Sequence, residues 1–274
     1  MPELPEVETV IRGLRPVLLG QDVRQVIVRR PDLRWPIPVD LGQRLTGATI
    51  TGIERRAKYG LIATNRDDTL IFHLGMSGRW IQLDADRLRQ PDRHDHVLLL
   101  TADRTLAFRD PRRFGSLHLV HSADAAAHPL LARLGPEPLS DAFSPAWLRA
   151  AARGRSTSIK ALLLDQHVVA GLGNIYVCEA LFAAGIHPAR AAGRISAQRL
   201  ARLVTEVKTV LRAAIRAGGS TLRDHALVSG ESGYFQTQFQ VYGRAGEACP
   251  GCGQELQRIT QSGRSSFYCR RCQT

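Results

Sequence analysis

Apolar positions recur with two different periods along this chain of 274 residues, and the change of period divides it. Val7, Val10, Ile11, Leu14 and Leu18 are spaced for one face of a helix. Pro5 suits the first turn of that helix, where its missing N–H costs nothing. Glu6 and Glu8 sit where the helix dipole favours anions, and Pro16 must kink or end the helix. Residues 20–120 carry short apolar runs punctuated by Gly, Asp or Pro. Val23–Val28, Thr69–Phe72, Val97–Leu100 and Thr105–Phe108 predict strands, and together a β-sandwich with the N-terminal helix packed on it. After Leu134-Gly135-Pro136-Glu137-Pro138-Leu139, which reads as a linker, the period becomes helical. Short helices are predicted at Ala146–Ala152 and Ile159–Leu164, and another after Asn174 with Ile175, Cys178 and Phe182 inward. A long one runs from Ser196 to Ala217 and ends at Gly218-Gly219. Its stripe of Leu200, Leu203, Val204, Val207, Val210, Leu211 and Ile215 reads as core. Residues 220–236, rich in Gly and Ser, read as a mobile loop.

Charge narrows the class of partner. Against 25 Asp+Glu stand 37 Lys+Arg, a formal net charge of +12, which points to a polyanion, most simply nucleic acid. No apolar run is long enough to span a bilayer. The first residues lack the basic start and apolar stretch of a signal peptide, so a cytoplasmic protein is expected. Four of the five cysteines crowd the C-terminus, which is no secreted disulfide framework.

Several stretches carry candidate chemistry. Glu54–Gly60 is basic and reads as an insertion between strands. Phe72–Gly78 reads as a Gly-bracketed turn bearing Met76, and Asp110–Gly115 as a tight loop bearing Arg112, Arg113 and Phe114. An apolar wedge beside Arg is what a protein uses to hold open or kink a duplex; a buried Met and Phe beside surface Arg is the alternative. Arg153, Arg155 and Lys160 add a basic group behind the first short helix. Gly171 and Gly173 permit a sharp backbone path, Asn174 is a good N-cap, and the helix start is a phosphate site in principle. Cys249-x-x-Cys252 and Cys269-x-x-Cys272, separated by residues 253–268, read as a four-thiolate zinc ribbon. With every coordination position filled by protein, the metal is structural; redox dithiols are the alternative. Gln261–Phe267 fits the turn and second strand of a hairpin whose tip carries Arg264. Cys178 reads as a core thiol.

The N-terminus has its own chemistry. Removal of Met1 would leave Pro2 with a free secondary amine. An α-amino group titrates near pH ~7.7–8.0, far below a lysine, and the positive end of the helix lowers it further. A neutral amine attacks an aldehyde carbon and forms a Schiff base, and Glu3 beside it can move a proton. Solvated acids at a helix entry are the alternative.

From Met1 to Gln273 the chain resembles bacterial formamidopyrimidine-DNA glycosylases of the formamidopyrimidine/endonuclease VIII family. The resemblance rests on MPELPEVE, RRAKY, HLGMSG, HDHV, DPRRFG, LGPEPL, VVAGLGNIY, SGYFQTQFQVYGR and CPGCG…GRSSFYCRRCQ, in that order. It implies an α+β protein: a catalytic β-sandwich with a packed helix over 1–134, a helix–two-turn–helix domain with a lid loop over 135–240, and a β-hairpin zinc finger over 241–274. It implies a base excision repair enzyme that removes 8-oxoguanine and formamidopyrimidines from duplex DNA, then cleaves the abasic strand by β,δ-elimination. In that scheme Pro2 is the nucleophile and Glu3 the general acid, while Lys58 assists β-elimination and Arg264 δ-elimination. Met76, Arg112 and Phe114 fill the void left by the flipped base, with Arg112 facing the orphaned cytosine. His73, His94, Arg155, Lys160 and Asn174 grip the DNA backbone. The implied cofactor is one structural Zn²⁺ on Cys249, Cys252, Cys269 and Cys272. The protein is expected to be a monomer acting on damaged double-stranded DNA, with no membrane partner, in a nucleoid-associated cytoplasmic location. Thr221–Tyr234 would be the lid, and Arg223, Glu231 and Ser232 depart there from relatives carrying lysine or proline. The other readings are a pyrimidine-directed endonuclease VIII-like enzyme and a catalytically silent binder of damaged DNA. The intact Pro2-Glu3 pair separates the last from an enzyme.

Overall fold

The computed structural model describes residues 1–84, 90–220 and 234–274. It divides into two compact units: Met1–Ala132 with Ala217–Tyr234, and Arg133–Arg216 with Phe235–Thr274.

The first unit begins with α1 (Leu4–Leu18), whose apolar face is wholly buried at Val7, Val10, Ile11, Leu14 and Leu18. Pro5 lies in its first turn. Pro16 falls so near the end that the helix runs only two residues further. Two antiparallel four-stranded sheets form the sandwich. One has the order β1 (Gln25–Val28), β6 (Asp95–Leu100), β7 (Thr105–Arg109), β5 (Arg79–Leu83). The other has the order β2 (Ile50–Arg56), β3 (Tyr59–Thr64), β4 (Asp68–His73), β8 (Ser116–His121). Their shared core includes α1, Leu70, Phe72, Trp80, Leu106 and Phe108. The rings of Phe72 and Phe108 meet Trp80 edge-on at 5.7 and 5.2 Å, a favoured aromatic geometry.

Two features differ from the sequence reading. Glu54–Gly60 is not an insertion: Arg55 pairs with Gly60 and Arg56 with Tyr59, leaving only Ala57-Lys58 as the turn. Ala57 takes a positive φ of 53° there, as such two-residue hairpin turns require. The short helix α2 (Leu41–Leu45) was also unforeseen; five residues are too few to display a period.

In the second unit α3 (Pro145–Ala152) and α4 (Ile159–Leu164) start at Ser144 and Ser158, whose hydroxyls accept the N–H groups of Trp147 and Ala161. The helix α5 (Asn174–Ala183) starts one residue earlier than a cap at Asn174 would give. Gly173 is the N-cap, with extended backbone, and Asn174 is already helical. The helix α6 (Ala197–Arg216) buries Leu200, Leu203, Val204, Val207, Leu211, Ala214 and Ile215. The strands β9 (Gln257–Gln261) and β10 (Arg264–Tyr268) form a hairpin closed by Ser262 and Gly263, both at positive φ (49° and 73°). That is the two-residue turn whose twist matches paired strands. Cys178 is buried against Cys249 and Cys269.

Of the expected mobile loop, 221–233 lies outside the described residues. Ser220 is buried, and Phe235–Gln238 forms a 3₁₀ turn. Among the described residues no helix is long and apolar enough to cross a membrane.

Candidate active site and nucleic-acid interface

The N-terminus is built by the first turn of α1. Pro2 is buried while Met1 is exposed. Glu3 and Glu6 form a reciprocal capping box, in which Glu6 Oε2 accepts the Glu3 N–H at 2.8 Å. The other Glu6 oxygen accepts the N–H and hydroxyl of Ser220 at 2.8 and 3.0 Å. Both carboxyls are buried, Glu3 at 4% and Glu6 at 2% exposure. Burying acids on this scale requires polar partners, and Glu6 has them in Glu3 and Ser220. Gly219, at a φ of +78°, lets the chain pass close by; a Cβ there would lie 3.1 Å from Glu6 Oε1.

Lys58 is buried in the β2–β3 turn. Next to it the Tyr59 ring lies 4.9 Å from the ring of His73. Burial, with Lys58 and Arg34 nearby, holds the His73 pKa down at about 4, so His73 is neutral near pH 7. Its Nδ1 accepts the Gly75 N–H at 3.0 Å. The ring proton is therefore on Nε2, and the free edge of the ring is a neutral N–H donor. Burial likewise raises the Tyr59 pKa, opposed by Arg34, so its phenol keeps its proton.

The two candidate wedge loops come together. Met76 and Phe114 are 39% and 45% exposed, which removes the reading of both as core residues. The Arg112 guanidinium carbon lies 5.0 Å from the Phe114 ring centre. His94 is half-buried near this loop, and its carbonyl accepts the Asp110 N–H at 3.1 Å.

In the second unit Arg155 is exposed beyond α3. Lys160 differs from the basic surface group expected: it is 1% exposed. Its ammonium donates to the Ser265 carbonyl at 2.8 Å and the Ser266 hydroxyl at 2.6 Å. Asn174 Nδ2 donates to the same Ser265 carbonyl at 2.9 Å. Two helices thus fix the residue next to Arg264, which is exposed at the start of β10. Lys160 and Asn174 are tied to the hairpin rather than presented as loose surface groups.

At the other end of the hairpin the sulfurs of Cys249, Cys252, Cys269 and Cys272 all lie within 4.8 Å of one another. Two of the separations are 3.8 and 3.5 Å, Cys249 to Cys272 and Cys252 to Cys269. A tetrahedral zinc with bonds of about 2.3 Å needs sulfurs about 3.8 Å apart. The four thiolates fit one structural zinc.

Comparison with known proteins decides the family. Residues 1–117 match the formamidopyrimidine-DNA glycosylase N-terminal domain and residues 134–226 its H2TH domain. Residues 246–274 match a zinc finger found in FPG and IleRS. A formamidopyrimidine-DNA glycosylase of Erythrobacter litoralis is 55% identical over 274 residues, covering 100% of both chains. The chain belongs to the formamidopyrimidine-DNA glycosylase family. Family structures agree with its fold. A Lactococcus lactis Fpg in complex with DNA containing an abasic site is 36% identical, with a TM-score of 0.92 over 99% of both chains. The wild-type Lactococcus lactis Fpg (MutM) with DNA containing N7-benzyl-Fapy-dG is 37% identical, with a TM-score of 0.91 over 99% of both.

For a formamidopyrimidine-DNA glycosylase the sequence reading left out several residues that shape the site. Glu6 and Ser220 clamp the N-terminal segment. The Glu3-x-x-Glu6 spacing of a capping box was a usable signal for Glu6, whereas Ser220 lies 214 residues away. Arg34 adds positive charge beside His73, and its N–H donates to the Gly115 carbonyl at 3.1 Å; nothing local marked it. Glu179 accepts the N–H groups of Gln240, Val241 and Tyr242 at 2.8–3.0 Å. Burial pushes its pKa up while these three bonds oppose the rise.

Proposed function

We propose that this protein is a bifunctional enzyme of base excision repair. It removes oxidised purines, 8-oxoguanine and formamidopyrimidines, from duplex DNA and then cleaves the abasic strand. The observation that carries this reading is the buried Pro2-Glu3 segment held by Glu6 at the start of α1, in a chain with a net charge of +12. A protein that only bound damaged DNA would have no use for that pair.

The reaction requires cleavage of the Met1–Pro2 peptide bond, which frees the Pro2 amine. The damaged nucleotide leaves the stack so that its sugar can be reached. Pro2 nitrogen bonds to C1′ as the glycosidic bond breaks; the base leaves with the electron pair and takes up the proton that the nitrogen sheds. Glu3 donates a proton to the ring oxygen, the C1′–O4′ bond opens, and an iminium forms between Pro2 and C1′. The iminium acidifies the C2′ proton; its loss expels the 3′ phosphate, and a second proton loss expels the 5′ phosphate. Lys58 and Arg264, cations at neutral pH, assist the first and second eliminations by countering charge on the departing phosphates. Met76, Arg112 and Phe114 take the space of the flipped nucleotide. His73 donates from Nε2 to a phosphate without carrying charge, while His94 and Arg155 add contacts to the backbone. Lys160 and Asn174 serve the backbone through the Ser265 carbonyl they share, by setting the strand that bears Arg264.

Cys249, Cys252, Cys269 and Cys272 would hold the zinc, which when bound cross-links the hairpin and takes no part in the chemistry. The functional division is 1–134 for catalysis, 135–240 for the helix–two-turn–helix and lid, and 241–274 for the finger. The protein works as a monomer in the cytoplasm, on the nucleoid. The test is incubation with a duplex bearing 8-oxoguanine opposite cytosine. Release of the free base with strand products ending in phosphate on both sides is expected. Binding without release would leave only a damage-binding protein.

A further inference from the structure

One buried carboxylate pins the two wedge loops to each other. Asp110 is 0% exposed. Its Oδ1 accepts the Ser77 hydroxyl at 2.5 Å and its Oδ2 the Gly115 N–H at 2.7 Å. Ser77, one residue after Met76, in turn accepts the Arg112 N–H at 3.0 Å. The chain Asp110–Ser77–Arg112 therefore leaves the Asp110–Gly115 loop, crosses to the Met76 turn and returns to the backbone of the same loop. The backbones also touch: a Cβ on Gly75 would lie 2.3 Å from the Phe114 carbonyl carbon and 2.5 Å from Gly115 nitrogen. Behind this junction His96 Nε2 lies 2.9 Å from the Asp110 carbonyl, fixing it from β6. Among the described residues no ion pair reaches Asp110, and the reaction gives it no proton to move. A buried acid is kept only where hydrogen bonds compensate its desolvation. Here both oxygens are spent on geometry.

We propose that Asp110, acting through Ser77, is a positioning residue for recognition of the base opposite the lesion. It makes Met76, Arg112 and Phe114 one preorganised wedge, so that the Arg112 donors arrive at a fixed height and angle. A rigid donor fork accepts cytosine and cannot relax towards adenine, whereas independently moving loops would let it. The proposal rests on the reading of Arg112 as the reader of that base.

Single-turnover excision of 8-oxoguanine opposite cytosine and opposite adenine, with the zinc-loaded full chain, tests it. Ser77→Ala removes the hydroxyl that joins Asp110 to Arg112. The cytosine-to-adenine rate ratio should fall by about fivefold, the weight of one buried hydrogen bond, in a protein whose thermal midpoint is lowered by the unpaired Asp110 oxygen but which is still folded at the assay temperature. Asp110→Ala should lower the ratio at least as far. Asp110→Asn should restore most of it, because its amide oxygen can face Gly115 while the Ser77 hydroxyl turns to accept from the amide nitrogen. Ser77→Ala combined with Arg112→Ala should match Arg112→Ala alone. If Arg112→Ala leaves the ratio intact, the underlying reading of Arg112 is wrong. If Arg112→Ala collapses the ratio but folded Ser77→Ala keeps the wild-type value, the positioning role of Asp110 is wrong. Should Asp110→Ala fail to fold, the Ser77→Ala result decides.

Discussion

Arg112 stacks on Phe114, its guanidinium carbon 5.0 Å from the ring centre. The stacking gives the cation a platform that a lone surface arginine lacks, and such pairs contribute about 0.5–1 kcal/mol at exposed sites. On the proposed reading Phe114 has two parts, filling space and aiming Arg112. An arginine guanidinium presents a fixed fork of donors, and an orphaned cytosine offers O2 and N3 as acceptors. Adenine presents an amino donor on the same edge.

The expected consequence is faster excision of 8-oxoguanine opposite cytosine than opposite adenine. Arg112→Ala should narrow that preference and weaken lesion binding by about 1–3 kcal/mol. Single-turnover rates on the two duplexes measure it. Equal wild-type rates would remove Arg112 from this role.

Glu3 acts, in this account, when the sugar ring opens. Glu3→Gln should therefore cut base excision by roughly 10²–10⁴-fold, the usual weight of a general acid. A duplex that already carries an abasic site presents an open-chain aldehyde in part, so its cleavage should survive to a larger degree. Comparing the two substrates in one assay separates these effects; normal excision of 8-oxoguanine by the variant would contradict the assignment.

Much of the fold and the zinc site could be read from residue order, and what could not has a physical pattern. Local signals served where partners lie close in the chain: the apolar stripe of α1, the short helical runs of α3 and α4, and the paired Cys-x-x-Cys. They failed where a side chain's role depends on a distant partner. In the sequence Lys160 forms one basic group with Arg153 and Arg155, yet its ammonium is buried against Ser265 and Ser266, over 100 residues away. Glu6 looked like a solvated acid and instead meets Ser220. The end of β2 escaped notice because Glu54, Arg55 and Arg56 carry charge right up to the turn. The Arg-Arg-Ala-Lys run disguised a hairpin as a basic loop.

The zinc site gives a prediction with a readout independent of activity. Metal binding and folding of so small a hairpin are coupled. Cys272→Ser should release zinc and unfold 246–274, freeing Ser265 and Ser266 from Lys160. DNA binding and strand cleavage should be lost together. Metal analysis beside a binding isotherm checks this, and full activity in a verified zinc-free protein would overturn the role of the finger.

His73 makes the fold sensitive to acid. Its pKa lies at about 4 rather than at the 6.5 of an ordinary histidine because burial, Lys58 and Arg34 oppose its charge. In the unfolded chain the ring takes up a proton below pH about 6.5. The stability it contributes is thus present above about 6.5 and is lost progressively as the pH falls to about 4. The loss should reach roughly 3 kcal/mol at most. Urea midpoints at pH 7.5 and pH 5 should drop further for wild type than for His73→Gln. An equal drop in both proteins would show that His73 is not the group responsible.

The central claim is that the amine of Pro2 forms a covalent bond to the sugar. Borohydride reduction during reaction with an abasic-site duplex tests it most directly. The account predicts one trapped adduct on protein that has lost Met1, mapped by peptide mass to Pro2, and absent when the N-terminus is acetylated or Met1 is retained. Tight binding of the duplex with no adduct, or an adduct mapped to Lys58 or another lysine, would contradict it.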